Sequence, residues 1–424
     1  MRKTGPRSRP GNLHEPRRRA GARAEHFGAG IVSGASDNDP TTVATLAVVG
    51  STTAYELGWL TLLVIPMLAV VQAIAAQVGA VSKRGLEDCV RTQYGRGWAF
   101  VALAALLAVN ILTLAADLEG GGAALGLLTP LPYRWWIIPL GALTVAALIF
   151  SNYSAIERVL RVIPLLFLTY IGAAILAHPD WGAVLHASFI PHFDFRPETV
   201  SGALALLGTT LTAYAYVWET IEVSEEKPPL RRLGLVQVDA ALGIVVAGLT
   251  FWFILISTGA TLGVHHRRVD TAEQAAQALA PIAGHYAQLV FAIGLLGSAL
   301  VAIPVIAGTC AYVAAEMFGW RRSLDESFAH ARRFYLTLGG CVAVAVAIAF
   351  AGVKPITLLF YSGIAGGIAT PFTMALMLLV ARNRKVMHQR RISVPLACAG
   401  WCVAAIVSAA ALIYLAQTLK GGAG

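Results

Sequence analysis

Charged residues are rare in this sequence, and long runs without any charge are common. Asp, Glu, Lys and Arg make up 13% of the 424 residues, whereas hydrophobic residues make up 57%. Several apolar runs exceed the roughly 18 residues that indicate a spanning helix, and the mean hydropathy is +0.67. These features predict a polytopic membrane protein, whose architecture is set by the bilayer and not by a globular core.

The sequence also lacks the residue patterns of an enzyme. Its five cysteines show no paired extracellular spacing, which argues against a disulfide framework and against a zinc site. The predicted spans contain no Ser/His/Asp or His-Glu-x-x-His arrangement, and no Gly-Lys-Ser follows Gly120-Gly121-Gly122 to make a phosphate loop. We therefore expect neither an enzyme nor a bound cofactor.

Hydropathy predicts an all-α protein with about eleven transmembrane helices. They lie at about Phe27–Ser51, Gly58–Val81, Trp98–Leu118, Trp135–Phe150, Val159–Ala177, Val200–Glu226, Val236–Leu262, Gln288–Phe318, Tyr335–Ala351, Ile356–Val380 and Val394–Leu419. With the N-terminus inside, most basic residues lie in inner loops, as the positive-inside rule requires. We expect a multi-pass protein of the plasma (inner) membrane with a cytoplasmic N-terminus. The formal charge of +9 then reports orientation, not nucleic-acid binding.

The first predicted span is interrupted by a short acidic stretch. Gly34–Thr42 contains Asp37, Asp39 and Pro40. A charge at the bilayer centre costs at least roughly 2.5–3.5 kcal/mol, and proline removes a backbone hydrogen-bond donor. Non-helical backbone at that depth is tolerated only where it is buried in protein or lines a wet cavity. We expect this break to hold a cation.

A second interruption lies in the sixth span, at Gly208–Tyr214. Paired interrupted helices in two halves of a chain point to the substrate site of an inverted-repeat transporter. The expected organisation is a disordered basic cytoplasmic tail (residues 1–25), a transporter core (26–382) of two inverted five-helix repeats (about 26–177 and 199–382), and an additional eleventh helix (383–424).

These residues also carry a family resemblance. The stretch ending in Asp39-Pro40 resembles the helix-1 metal motif of the Nramp divalent-metal transporters, Asp-Pro-Gly-Asn, and more closely the prokaryotic Nramp-related branch that includes magnesium transporters. Three further stretches are similar to that branch: Gly208-Thr209-Thr210 running to Trp218, Ala302-Ile303-Pro304-Val305 with Ala307-Gly308 and Ala311-Tyr312, and Pro371-Phe372. The resemblance implies the leucine-transporter-like fold, with a divalent metal ion bound as substrate where helices 1 and 6 unwind.

The resemblance implies four metal-binding positions. Asp39 falls on the family's metal-binding Asp and Thr42 on its Asn, whereas Thr209 falls on the helix-6 carbonyl ligand and Thr212 on the helix-6 methionine. A thioether favours softer transition metals, so a hydroxyl in its place leaves an all-oxygen site. Mg²⁺ keeps several waters and needs only one or two carboxylates. We therefore expect import of Mg²⁺ and/or Mn²⁺.

The residues linked to proton coupling in the family are only partly present. Tyr214 stands in place of the helix-6 histidine, and of the helix-3 acidic pair Asp117 remains while Gly120 replaces the Glu. A tyrosine is a poor proton acceptor at neutral pH. Candidates for an ion or proton path are Asp37, Asp117, Tyr214 and Glu219, although Glu219 is equally consistent with an ion pair to an inner-loop arginine. We expect uptake driven by membrane potential without protons.

Three other functions stay open. One is a proton-coupled Mn²⁺/Fe²⁺ symporter, and another is an amino-acid or organic-solute permease of the same fold, in which Asp39 and Asp37 would repel a substrate carboxylate. The third is a non-transporting sensor, which no attached signalling domain supports. The outer-loop pair His265-His266 is a weak metal candidate. The expected partners are the metal ion and the lipid bilayer, with no nucleic acid and no obligatory protein partner.

Overall fold

The computed structural model describes residues 39–150, 169–226, 233–324 and 326–421, and these residues form helices without any strand. The α-helices are, in chain order, α1 Pro40–Thr53, α2 Gly58–Ser82, α3 Leu86–Tyr94, α4 Arg96–Leu128, α5 Arg134–Phe150, α6 Thr169–Leu176, α7 Trp181–Phe189, α8 Pro197–Thr210, α9 Ala213–Glu226, α10 Leu233–Thr261, α11 Ala272–Ala276, α12 Ala280–Ala283, α13 Ala287–Phe318, α14 Arg332–Ala349, α15 Pro355–Arg382, α16 Arg384–Met387 and α17 Val394–Gly421. Short 3₁₀ helices lie at Gly263–His265, Gln277–Leu279 and Gly284–Tyr286.

Each of the eleven predicted spans contains at least one helix among the described residues. Eight helical segments of the described residues are long and apolar enough to cross a membrane, and α5 is a shorter apolar helix. The remaining two spans are described only in part, by α1 for the first and by α6 for the fifth. The sixth span consists of α8 and α9, which are separated by Leu211 and Thr212 as its polar break predicts. The predicted tail of residues 1–25 and Asp37 lie outside the described residues.

The third span is longer than predicted. The sequence predicts an end at Leu118, but α4 continues to Leu128, and Glu119 lies fully buried in its middle. The glycines after Glu119 do not end the helix because they meet neighbouring helices closely. A Cβ on Gly121 would lie 3.0 Å from the Cβ of Ala299 in α13, and a Cβ on Gly122 would lie 3.0 Å from the carbonyl oxygen of Tyr133. Glycine here serves close helix packing.

The helices of the two halves pair in a reciprocal way. α1 packs against α10 and α2 packs against α9, so spans one and two meet spans seven and six. α4 packs against α13 and α5 packs against α14, so spans three and four meet spans eight and nine. This exchange is the pattern expected of an inverted repeat, because its two-fold axis maps the contact of spans one and seven onto that of spans six and two, and maps the other two contacts onto themselves.

The backbones of α8 and α15 approach each other closely. A Cβ on Gly208 would lie 2.0 Å from the carbonyl oxygen of Gly363 and 2.2 Å from the amide nitrogen of Gly367. Helices in lipid have no hydrophobic drive to associate with one another, so small residues that allow close contact carry the packing. This contact places the end of α8, and with it Thr209, against α15.

We expect Gly208→Ala to destabilise the protein by about 1–3 kcal/mol, because the added methyl overpacks a backbone contact. The readout is the melting temperature of the purified protein in detergent. Gly340→Ala is the matched control, since nothing lies within 4 Å of a Cβ at that position in α14. Equal melting temperatures for the two variants would contradict the tight α8–α15 contact.

Candidate metal-ion site

The carboxylate of Asp39 caps the N-terminus of α1. Its Oδ1 accepts a hydrogen bond from the backbone N–H of Thr42 at 2.6 Å, and Pro40 occupies the first turn of the helix. A proline at that position costs no hydrogen bond, because the first N–H groups of a helix have no partner within it. The Asp-Pro pair would interrupt the middle of a continuous helix, but at this position Asp39 and Pro40 stabilise the start of α1.

The other oxygen of Asp39 is bonded to the second half of the broken sixth span. The hydroxyl of Tyr214 in α9 donates to Asp39 Oδ2 at 2.8 Å. Between α8 and α9, the carbonyl oxygen of Leu211 accepts a hydrogen bond from the hydroxyl of Thr370 in α15 at 3.2 Å. The interruption is thus held open by α15, as buried irregular backbone requires.

Two further hydrogen bonds bring neighbouring helices to the start of α1. The hydroxyls of Thr42 and Thr209 lie 2.9 Å apart and join α1 to α8. The hydroxyl of Thr41 donates to Asp117 Oδ1 at 2.8 Å and joins α1 to α4. Four helices therefore meet at one buried polar cluster in the membrane-spanning part of the chain.

A narrow pocket lies beside this cluster. Its lining residues are Asp39, Thr41, Thr113, Gly208, Thr209, Thr212, Ser362, Gly363 and Gly366. Among the residues that the structure describes, the lining supplies a carboxylate, hydroxyls and backbone groups but no sulfur and no basic side chain. Hard cations such as Mg²⁺, Ca²⁺ and Mn²⁺ prefer such an oxygen lining.

The electrostatics of the cluster favour a cation. Asp39 is 1% exposed and Asp117 is 0% exposed, so both carboxylates are withdrawn from water. The N-terminal dipole of α1 compensates part of the charge on Asp39. The C-terminal end of α8, which carries negative partial charge, faces the same pocket through Gly208 and Thr209.

The structure brings together most of the residues that the sequence predicts. Of the four metal-binding candidates, Asp39, Thr209 and Thr212 line the pocket, and Thr42 is bonded to Thr209. Among the path candidates, Tyr214 and Asp117 are bonded to Asp39 and Thr41, respectively. Asp37 lies outside the described residues. Glu219 lies further along α9, partly exposed, and is not among the pocket-lining residues.

Sequence reasoning missed the contributions of α4 and α15 to the lining. Thr113 stands four residues before Asp117, which places both on one face of α4, so the helical spacing carried a usable signal. Ser362 and its neighbouring glycines reach the pocket only because α15 crosses α8 at Gly208. No sequence spacing reveals that crossing.

The sequence matches the family described as natural resistance-associated macrophage protein-like, or Nramp, over residues 30–417. The chain belongs to the Nramp family. Two curated relatives named divalent metal cation transporter MntH are similar over most of their length. The protein from Deinococcus radiodurans is 28% identical, with 93% of this chain and 90% of the relative covered. The protein from Mycobacterium tuberculosis is 26% identical, with 92% of each chain covered.

Solved structures with the same fold include Nramp and other transporters. The manganese transporter of Eremococcus coleocola, bound to an aromatic bis-isothiourea compound, superposes with a TM-score of 0.74 at 18% identity, covering 97% of this chain and 90% of that one. MhsT in complex with L-phenylalanine gives a TM-score of 0.61 at 15% identity, covering 93% and 98%. These likenesses confirm the predicted all-helical transporter fold. The relatives are named as transporters, which agrees with the prediction that this Nramp protein is not an enzyme.

We expect Asp39→Asn to abolish ion-dependent uptake in this Nramp protein. Asparagine is as good a helix N-cap as aspartate, so the variant keeps the start of α1 while it loses the charge that faces the pocket. Uptake of Mn²⁺ into proteoliposomes and the melting temperature are measured together. Asp180→Asn is the matched control, because Asp180 is an exposed N-cap of α7 that also accepts backbone hydrogen bonds. Normal uptake by Asp39→Asn would rule out Asp39 as the anchor of the ion.

Proposed function

We propose that this chain imports divalent metal cations across the membrane by alternating access, with the ion bound between the interrupted first and sixth spans. The observation that carries the proposal is the buried carboxylate of Asp39 beside an all-oxygen pocket at the meeting point of α1 and α8. Membership in the Nramp family and relatives named as divalent metal cation transporters support the same function. The metal ion is the substrate, not a resident cofactor.

We propose Mg²⁺ and Mn²⁺ as the favoured ions. Thr212 supplies a hydroxyl to the pocket lining, and no thioether stands among the lining residues. An all-oxygen lining with one carboxylate suits a hard ion, and Mg²⁺ retains part of its water shell in such sites. Mn²⁺ accepts oxygen ligands as well, and a solved structure of similar fold is named as a manganese transporter.

We further propose that transport proceeds without proton coupling. Tyr214 occupies the position next to the carboxylate and donates its proton to Asp39 in a hydrogen bond. Gly120 faces α1 so closely that a Cβ there would lie 3.0 Å from the Cβ of Pro40, which leaves little room for an acidic side chain at that position. A potential of 100 mV supplies roughly 4.6 kcal/mol for a divalent ion, since each charge contributes roughly 2.3 kcal/mol.

The proposed setting follows from the loops. The concentration of basic residues on one side of the predicted spans supports a cytoplasmic N-terminus, and we propose the plasma membrane as the location. Residues 26–382 form the transporter core in this proposal, and residues 383–424 add one helix, which packs against α15 and α8.

Two alternative functions have some support. A proton-coupled Mn²⁺/Fe²⁺ symporter is favoured by the buried Asp117 beside Thr41, and a solved structure of similar fold is named as a manganese transporter. An organic-solute permease is favoured only by the fold that the chain shares with MhsT in complex with L-phenylalanine. The carboxylate of Asp39 in the pocket disfavours an amino-acid substrate, because it would repel the substrate carboxylate.

Proteoliposomes that contain a magnesium dye and a pH dye test the proposal at a fixed, inside-negative potential. We expect Mg²⁺ to enter without acidification of the lumen, and Mn²⁺ to compete with it. Liposomes with Asp39→Asn protein serve as the control for leakage. Entry of Mn²⁺ with acidification and without entry of Mg²⁺ would instead establish the symporter, and competition by amino acids would establish the permease.

We expect Thr212→Met to shift selectivity by about tenfold or more towards softer ions such as Cd²⁺ and away from Mg²⁺, because the thioether replaces a hard oxygen in the lining. The measurement is the ratio of Cd²⁺ to Mg²⁺ uptake in parallel liposome preparations. Thr212→Val is the matched control, since it removes the hydroxyl without adding sulfur. An unchanged ratio in Thr212→Met would show that this position does not contact the ion.

A further inference from the structure

A junction of three helices lies at the inner end of the structure, at the start of α3. Helix α3 connects α2 to α4, and its N-cap residue is Gly85, which has no side chain to cap the helix. Instead, the backbone N–H of Leu86 donates to the hydroxyl of Thr220 in α9 at 3.2 Å, and the N–H of Asp88 donates to Glu316 Oε2 in α13 at 3.1 Å. We call Gly85, Leu86, Asp88, Thr220 and Glu316 the inner junction.

The carboxylate of Glu316 is the charged member of the inner junction. Glu316 is 0% exposed, and its Oε1 lies 3.1 Å from a guanidinium nitrogen of Arg322. A buried carboxylate is stable only when charges and donors compensate it. Here a helix N-terminus and one arginine provide that compensation, so the bond between Glu316 and α3 is stronger than a neutral hydrogen bond.

The position of Glu316 explains why residue 85 is a glycine. Its backbone adopts φ −71° and ψ 169°, an extended conformation that any residue accepts. A Cβ on Gly85, however, would lie 2.0 Å from Glu316 Oε1. Because Arg322 and the N-terminus of α3 hold Glu316 in place, alanine at position 85 would push its carboxylate away. The missing side chain at Gly85 therefore leaves the space that the carboxylate of Glu316 occupies.

The inner junction joins two pairs of helices. α2 and α9 form one pair, in which a Cβ on Gly79 would lie 2.6 Å from the carbonyl oxygen of Thr220. α4 and α13 form the other pair through their long mutual contact, and the two pairs also touch through Trp218 and Tyr312. The first turn of α3 bonds to Thr220 of one pair and to Glu316 of the other. Movement of one pair away from the other therefore strains or breaks one of these hydrogen bonds.

We propose that Glu316 is a positioning residue of the transport cycle. Its carboxylate holds the start of α3 against α9 and α13, and its hydrogen bond to α3 breaks when the inner side opens. This role rests on the proposed transport function, because alternating access requires one group of helices to move against another. α9 also carries Tyr214, which is bonded to Asp39. The ion site and the inner junction are about 9 Å apart along α9, at 1.5 Å per residue from Tyr214 to Thr220.

Cys89 offers a native reporter of the inner junction. It lies on α3 and is 1% exposed, so its thiol reacts only when α3 leaves its place. The full-length protein, with the other four cysteines replaced by alanine, is reconstituted and labelled from the inner face with a membrane-impermeant maleimide. The rate of Cys89 labelling then measures how often the junction opens.

We expect Glu316→Gln to accelerate Cys89 labelling by about tenfold or more, which corresponds to about 1.4 kcal/mol. Glu87→Gln is the matched control on the first turn of α3. Burial and the nearby negative charge of Glu316 raise the pKa of Glu87 to about 9, so its carboxyl is already neutral at pH 7 and the amide leaves the junction unchanged. Equal labelling rates for the two variants would overturn the proposal.

Gly85→Ala tests the same contact from the other side. Alone it should accelerate labelling about as much as Glu316→Ala does, because both changes remove the carboxylate from α3. In the Glu316→Ala background, Gly85→Ala should add nothing, since the side chain it displaces is gone. Independent, multiplying effects of the two changes would overturn the proposal, and melting temperatures show whether each variant is folded.

If the inner junction opens during transport, its opening depends on the ion, whereas a purely structural contact does not respond to the ion. We expect saturating Mn²⁺ to change Cys89 labelling at least about twofold in the reporter protein and not in its Asp39→Asn variant.

Glu316→Gln should change the maximal uptake rate and leave the KM for the ion within about twofold. An ion-independent labelling rate together with normal uptake would show that the junction is static. Absence of uptake by the reporter protein with Asp39 and Glu316 intact would instead disprove the proposed function and leave the double-variant test of the contact standing.

Discussion

The carboxylate of Asp39 lies inside the membrane-spanning part of the chain, where an uncompensated charge is costly. Its two oxygens accept hydrogen bonds from the start of α1 and from Tyr214 of α9, so both helices compensate its charge. The irregular backbone between α8 and α9 is likewise tolerated because it is buried in protein, where Thr370 bonds to Leu211.

Close packing of small residues keeps this arrangement rigid. The glycines of α8 and α15 allow the two backbones to touch, and Gly120 lets α4 approach the proline that begins α1. The hydroxyls of Thr41 and Thr42 then form direct hydrogen bonds to α4 and α8. In lipid, such contacts replace the hydrophobic driving force that would hold a soluble bundle together.

The ion pocket and the inner junction lie along a single half-helix. α9 is bonded to Asp39 near its start and to α3 further along, and it contacts α13 through the edge-to-face pair of Trp218 and Tyr312. A helix turn is stiff, so a displacement at one end of α9 reaches the other end nearly undiminished. This geometry gives a physical route by which occupancy of the pocket reaches the inner side.

The sequence alone was enough to predict the class of the fold. Long apolar runs and the asymmetry of basic loops predict the spans. An acidic break beside Pro40 predicts a cation site, because a charged, irregular segment is tolerated in lipid only where it is buried in protein or lines a cavity. The structure brings Tyr214, Thr209 and Asp117 into one hydrogen-bonded cluster with Asp39, and metal binding by this cluster stays a prediction.

Only the tertiary structure decided what depends on contacts between distant helices. Glycines that read as a helix end after Leu118 continue α4, because neighbouring helices fill the space beside them. Glu119 and Glu316 are fully buried, and Glu316 caps α3 from 228 residues further along the chain. Ser362 reaches the ion pocket through the crossing of α8 and α15. Periodicity and composition describe one helix at a time, whereas burial and capping are set by which helices touch, and that is decided only when the whole bundle packs.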